Sequence, residues 1–100
     1  MKEIELEKAI EAMKGKYLGN DSLKGRSLSG VSVDSRTIKK GEMFFALKGE
    51  NFDGHDFVQD ALNKGAVGVM VSQEQQIDQP QIVVGDTLQA LGQLAAVWRN

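Results

Sequence analysis

The stretch GEMFFALKGENFDGHDFVQDALNKGAVGVMV, Gly41 to Val71, decides the fold class. Met43-Phe44-Phe45-Ala46-Leu47 is a short apolar run bounded by Gly41 and Gly49, as a buried strand requires. Phe57, Val58, Ala61 and Leu62 then recur at helical spacing. Asp53 or Asp56 is placed to cap that helix, and Gly65 stands just past its end. Ala66-Val67-Gly68-Val69-Met70-Val71 is a second apolar run. Two buried strands joined by a helix form a right-handed crossover unit, which implies parallel pairing.

Working outward, Leu28 to Val33 alternates apolar and polar residues, with Val31 and Val33 on one side, and reads as a strand. Ile82-Val83-Val84 reads as another, with Pro80 before it, where a missing amide does little harm. Ile4 to Lys14 reads as a helix with Leu6, Ala9, Ile10 and Met13 on one face. Gly15 and Gly19 break that pattern, and Asn20 to Ser27 reads as a loop or short hairpin. Asp86 and Gln89 make a capping-box-like start for a last helix, whose stripe is Leu88, Leu91, Ala95 and Trp98, with Leu94 beside it. The expected fold is α/β: a small mixed or mostly parallel sheet with helices packed on its faces.

With 100 residues, 41% hydrophobic and 26% charged, the chain is sized for one soluble domain with one modest core. A net charge of -2 offers no basic field to gather nucleic acid. The absence of cysteine rules out disulfides, thiol catalysis and Cys-based zinc sites. Met1 to Glu7 lacks the apolar run of a signal peptide, and no window approaches the roughly 20 apolar residues of a membrane span. No membrane partner and a cytoplasmic setting are therefore expected.

Three segments have chemical potential. Ser32-Val33-Asp34-Ser35-Arg36-Thr37 lies where a strand runs into a loop, the usual ligand edge of an α/β sheet. Arg36 suits a two-pronged phosphate contact, and Ser35 suits a base edge or phosphate oxygen. The plainer reading is a turn in which Asp34 bonds nearby amides and Arg36 pairs with it. Lys48 to Phe57 is the second strand-to-helix loop. Gly49 and Gly54 permit close approach, Asn51 can read a flat base edge and Phe52 can lie against one, although a capped helix start explains the same residues. His55 is the third candidate. No nucleophile motif and no second histidine accompany it, which favours a structural role.

Nothing in the chain grips ATP. The Gly15-Lys16 pair is followed by Tyr17, and Ile10 stands where the first glycine of a phosphate-cradling P-loop belongs. A Gly-x-Gly-x-x-Gly fingerprint is also absent.

Taken together, Gly30-Val31-Ser32-Val33-Asp34-Ser35-Arg36, Lys40 through Glu50, Phe52-Asp53-Gly54-His55-Asp56-Phe57 and Gly65-Ala66 resemble the N-terminal domain of the Mur ligases, which build the peptide stem of bacterial peptidoglycan. The run from Gly49 to Phe57 is more similar to the MurF branch than to the MurE branch. Asp86 through Ala95, with Arg99, is similar to the helix leading into the MurF central domain. The resemblance implies a three-domain enzyme. The first domain holds the UDP end of UDP-N-acetylmuramoyl-tripeptide. The second uses ATP and magnesium to make an acyl phosphate, and the third places D-alanyl-D-alanine. Residues 1–100 are expected to be that first domain alone, with no cofactor of its own and no catalytic residue, the central ATPase and C-terminal domains being absent from this chain. The remaining ligase domains are then its expected partners.

The same resemblance implies that Val33 and Ser35 line the uridine or diphosphate site and that Arg36 neutralises phosphate or fixes the loop. It implies that Glu50, Asn51 and Phe52 meet the uracil and that Asp53-Gly54 turns the chain into the helix, with Gly49 and Asp53 completing the substrate-binding set. Three alternatives stay open: the equivalent MurE-type domain, a phospho-acceptor domain using Asp34, and a folded fragment without detectable binding.

Overall fold

The apolar runs around residues 43–47, 66–71 and 82–84 become neighbouring strands because each carries bulk on both sides and must be covered on both faces. The structure, a computed structural model, describes residues 4–19, 27–28, 30–48 and 53–98. In chain order the elements are β1 (Ile4–Glu5), α1 (Leu6–Met13), β2 (Lys16–Leu18), β3 (Ser27–Leu28), β4 (Val31–Ser32) and β5 (Met43–Phe45). A 3-10 turn (Gly54–Phe57) leads into α2 (Val58–Asn63), followed by β6 (Gly68–Val71), β7 (Gln81–Val83) and α3 (Thr87–Trp98).

Among the described residues the main sheet has five strands in the order β2-β7-β6-β5-β4. The pairs β4–β5, β5–β6 and β6–β7 are parallel, in registers such as Val31 opposite Met43, Phe44 opposite Val69 and Met70 opposite Ile82. Strand β2 closes the far edge antiparallel to β7, with Tyr17 opposite Ile82. The expected α/β fold with a mixed, mostly parallel sheet is therefore present. A separate two-stranded ribbon pairs β1 with β3.

Alternation along the strands sorts the core into two layers. Met43, Phe45, Met70, Ile82 and Val84 face Leu6, Ala9 and Met13 of α1 and Ala90 and Leu94 of α3. Phe44, Ala46, Val69 and Val71 face Val58 and Ala61 of α2, together with Ile38. Burying each large side chain of this kind contributes about 1.5–3 kcal/mol.

Several boundaries differ from the sequence reading. Ile4 and Glu5 extend as β1 instead of starting the helix, because Ile4 and Glu5 pair with Leu28 and Ser27. The expected strand from Leu28 to Val33 is split: β3 joins the ribbon and β4 joins the main sheet, leaving Val33 beyond the strand end. Strand β2 was hidden between Gly15 and Gly19 because three residues are too few to display a period. In α3 the buried apolar residues among those described are Ala90 and Leu94, while Leu88 is 67% exposed. The apolar stripe read through Leu88 and Ala95 was rotated from the true packing face. Gly65 ends the α2 region as expected, with φ 107°.

Gly54 is set by crowding. A Cβ there would come within 2.8 Å of the Ala46 Cα and the Leu47 backbone N. Its own N–H donates to the Leu47 carbonyl at 2.7 Å, so the start of the 3-10 turn presses against the end of β5. Gly92, in α3, has open space where a Cβ would stand. Urea unfolding should separate the two. Gly54→Ala is expected to lose about 1–3 kcal/mol by overpacking. Gly92→Ala is expected to gain about 0.5–1 kcal/mol by removing helical backbone entropy.

Candidate functional site

Parallel pairing sends β4, β5, β6 and β7 out of the sheet at the same edge. Two clefts open there. The first, of about 550 Å³, is lined by Val33, Asp34, Ser35, Arg36, Phe44 and Phe57. The second, of about 560 Å³, includes Leu47 and Lys48 after β5, Ser72 after β6, and Gly85 to Leu88 at the start of α3. Val33 lines both and is 42% exposed. Val33, Phe57 and Leu88 are three of the large apolar residues left exposed, and all three lie on this edge. Apolar surface gathered next to polar groups in a concave region marks a binding surface.

The turn after β4 is built by its own polar side chains. The Ser32 hydroxyl donates to the Asp34 carbonyl at 3.0 Å and accepts from the Asp34 N–H at 3.2 Å. Asp34 Oδ1 accepts from the Arg36 N–H at 2.8 Å. The Arg36 guanidinium closes a two-pronged pair, Nε to Oδ1 at 3.1 Å and Nη2 to Oδ2 at 2.9 Å. The side-chain and backbone hydrogen bonds from Arg36 lower the Asp34 carboxyl from 3.8 to about 2. The guanidinium is thus already neutralised, and 82% of its side chain faces solvent. It fixes the loop, and its N–H groups outside the pair remain for an outside acceptor. Ser35 is different. It is only 4% exposed and it lines the first cleft.

Of the second segment, Gly49, Glu50, Asn51 and Phe52 lie outside the described residues. Their flanks are tied together, since Lys48 and Asp53 form an antiparallel bridge. Asp53 Oδ1 accepts from the His55 N–H at 3.0 Å and faces His55 Nδ1 at 2.6 Å. The backbone bond first, then the ring bond, hold the Asp53 carboxyl below its ordinary value. Asp53 therefore turns the chain into the helix, as the resemblance implied, and it is not among the residues lining either cleft. The structure brings Val33, Ser35 and Arg36 together along the first cleft.

His55 is a structural clasp. Its Nε2 lies 3.1 Å from the Ser72 backbone N. An amide can only donate, so Nε2 accepts, and the proton sits on Nδ1 facing Asp53. Thr87 is also structural, donating to the Ala46 carbonyl at 3.0 Å and tying the start of α3 to the end of β5. Asp86 caps α3 by accepting from the Gln89 N–H at 3.0 Å. No cluster of three or more His, Cys, Asp or Glu suited to a metal occurs among the described residues. Lys48 lay within the second candidate segment, whereas sequence reasoning missed Phe44, Ser72, Thr87 and Leu88 as site-edge residues. Their signal was position, each lying in, at or just past a strand end on the edge where α/β sheets bind ligands.

The profile of the Mur ligase family, catalytic domain, matches residues 27–99. The chain is 40% identical over 93 residues to the UDP-N-acetylmuramoyl-tripeptide--D-alanyl-D-alanine ligase of Escherichia coli (strain K12), covering 93% of the chain and 20% of that ligase. It is 41% identical over 70 residues to the UDP-N-acetylmuramoyl-L-alanyl-D-glutamate--2,6-diaminopimelate ligase of Aquifex aeolicus (strain VF5), covering 70% of the chain and 14% of that protein. In shape it matches MurF from Acinetobacter baumannii with a TM-score of 0.86 and 32% identity, over 96% of this chain and 21% of that one. The chain thus spans about a fifth of the length of MurF relatives.

The Asp34–Arg36 turn has an electrostatic signature. Because the carboxyl is lowered in the folded state, its contribution is fully present above the ordinary value of 3.8 and is lost as pH falls through about 2. An NMR titration of the Asp34 carboxyl carbon should give a midpoint near 2 in the native chain. In Arg36→Ala it should move up toward 3.8.

Proposed function

The chain belongs to the Mur ligase family, and from that premise we propose that it docks the UDP end of UDP-N-acetylmuramoyl-tripeptide for a ligase of the MurF type, which adds D-alanyl-D-alanine. Its fold is that of the N-terminal domain in MurF structures. The observation that carries the reading is the pair of clefts at the strand exits that share exposed Val33, the first of them also lined by Ser35 and Arg36. Val33 and Phe57 offer apolar faces to a flat base, and Ser35 offers a hydroxyl to its edge or to a phosphate oxygen. The free N–H groups of Arg36 add a directional contact while its charge stays balanced by Asp34. The two clefts share Val33, so an elongated nucleotide-sugar can lie across them. Gly49, Glu50, Asn51 and Phe52 complete the proposed set.

The domain's chemical role is positioning. Contacts to the remote UDP group hold the reacting carboxylate where other domains act, which lowers the entropic part of the barrier. ATP and magnesium belong to those other domains in this reading. The residues here do not fit them, since the sequence has no P-loop and no acidic cluster occurs among the described residues. The partners are the nucleotide-sugar and the remaining ligase domains, in the cytoplasm where both substrate and ATP are available. The net charge is -2, and no described helix is long and apolar enough to cross a bilayer.

A second reading, the MurE-type domain, draws support from diaminopimelate ligases such as that of Rickettsia typhi, 46% identical over 76% of the chain. The D-alanyl-D-alanine-adding relative of Escherichia coli matches over 93% of the chain, which favours MurF.

Titration of the 100-residue chain with uridine diphosphate, followed by amide NMR, tests the docking role. Saturable shifts are expected at Val33, Ser35 and Arg36, with Gln75 to Gln79 unmoved. Ser35→Ala, corrected for its folded fraction, is expected to weaken binding about 2- to 10-fold, the worth of one hydrogen bond. Shifts confined to other surfaces, or none at all, would overturn the reading.

A further inference from the structure

His55 stands behind the proposed site and touches two of its supports. Its ring is 7% exposed. Through Nδ1 it holds Asp53, the residue that follows segment 49–52. Through Nε2 it holds the Ser72 N–H, the first residue past β6, with the Ser72 hydroxyl 3.4 Å away. Both partners connect directly to the second cleft. Ser72 lines it, and Asp53 is bridged to Lys48, which also lines it.

A ring this buried needs a partner for each nitrogen, and what singles out His55 is where its two partners lie. Here each ring nitrogen fixes a different strand exit, and neither contact has a full substitute. Without the ring, Asp53 keeps the His55 backbone N–H at 3.0 Å, so the cap of the 3-10 turn survives. The Ser72 N–H loses its acceptor in a part-buried place. Asp53 also loses the contact that ties it to the β6 exit.

Resting on the docking role proposed above, we infer that His55 is a positioning residue. It locks the Asp53–Lys48 bridge and the Ser72 exit of β6 into one geometry, and so sets affinity for a uridine nucleotide without touching it. Supporting residues of this kind matter because a binding constellation loosened by about 1 Å loses most of its value.

Two conservative variants separate this role from mere core filling. His55→Asn places an amide N–H near the Nδ1 position and keeps the Asp53 link. His55→Gln places a carbonyl near the Nε2 position and keeps the Ser72 link. Uridine diphosphate affinity is measured by NMR titration for wild type, H55N, H55Q and H55A, each corrected for its folded fraction from urea unfolding. The expected result is that H55N and H55Q remain folded yet each binds at least about fivefold more weakly than wild type, because each restores one exit only. Amide shifts of Lys48 and Ser72 in the free chain should move in opposite patterns in the two variants. If H55A unfolds, H55N and H55Q decide alone. Wild-type affinity in either H55N or H55Q, or in a folded H55A, overturns the inference and leaves the docking role standing. Failure of the wild-type chain itself to bind overturns the docking role, and the inference with it.

Discussion

Parallel alignment of β4 through β7 is the constraint from which the rest of the structure follows. Four strands that run the same way must all leave the sheet at one edge. What enforces the alignment is two-sided burial. Met43, Phe44 and Phe45 are each fully buried, as are Val69, Met70 and Val71, so these strands are stable only with helices on both faces. Helix α2 covers one face, and α1 with α3 covers the other. The crossover through α2 then delivers β6 beside β5 in the same direction. Polar turns, a helix start and exposed apolar side chains are thereby concentrated in one region of a chain of only 100 residues.

Charge at that edge is balanced locally. Asp34 is neutralised by Arg36, and Asp53 is engaged by the His55 backbone and ring. Both carboxyls lie below their ordinary values, so both sets of hydrogen bonds persist at neutral pH and weaken only in acid. Long-range attraction of an anion is consequently weak, in keeping with the net charge of -2. Discrimination must come from geometry: a hydroxyl at Ser35, apolar surfaces at Val33, Phe57 and Leu88, and backbone groups at the strand ends. The tight packing of Gly54 on Ala46 and Leu47 matters for the same reason, because it fixes where the segment after β5 rejoins the body of the fold.

The layer architecture was readable because buried strands and the α2 stripe leave strong periodic marks. Elements shorter than a period were not. Strand β2 has three residues, and β3 and β4 have two each, so their pairing depends on distant partners rather than local pattern. Val33 shows why alternation misleads at a strand end. It continues the apolar rhythm of Val31, yet the chain has already left the sheet and its side chain faces solvent. Leu88 misled similarly, since helical spacing alone does not say which of two overlapping stripes meets the core. At the site, Ser35 and the Asp34–Arg36 pair were legible from their own chemistry. Ser72 was not, because nothing in a single serine marks it until the fold places it at a strand exit. The double attachment of His55 was likewise invisible, because Ser72 is 17 residues away.

The central claim is that the carboxyl-end edge of the parallel strands is where a uridine nucleotide sits. A crystal structure of the chain grown with uridine diphosphate tests it most directly. The account requires the nucleotide across the edge shared by the two clefts, with Ser35 Oγ within hydrogen-bonding distance of the base or a phosphate and Val33 against it. A nucleotide bound at the opposite edge of the sheet, or on the outer face of α1, with Ser35 untouched, would contradict it.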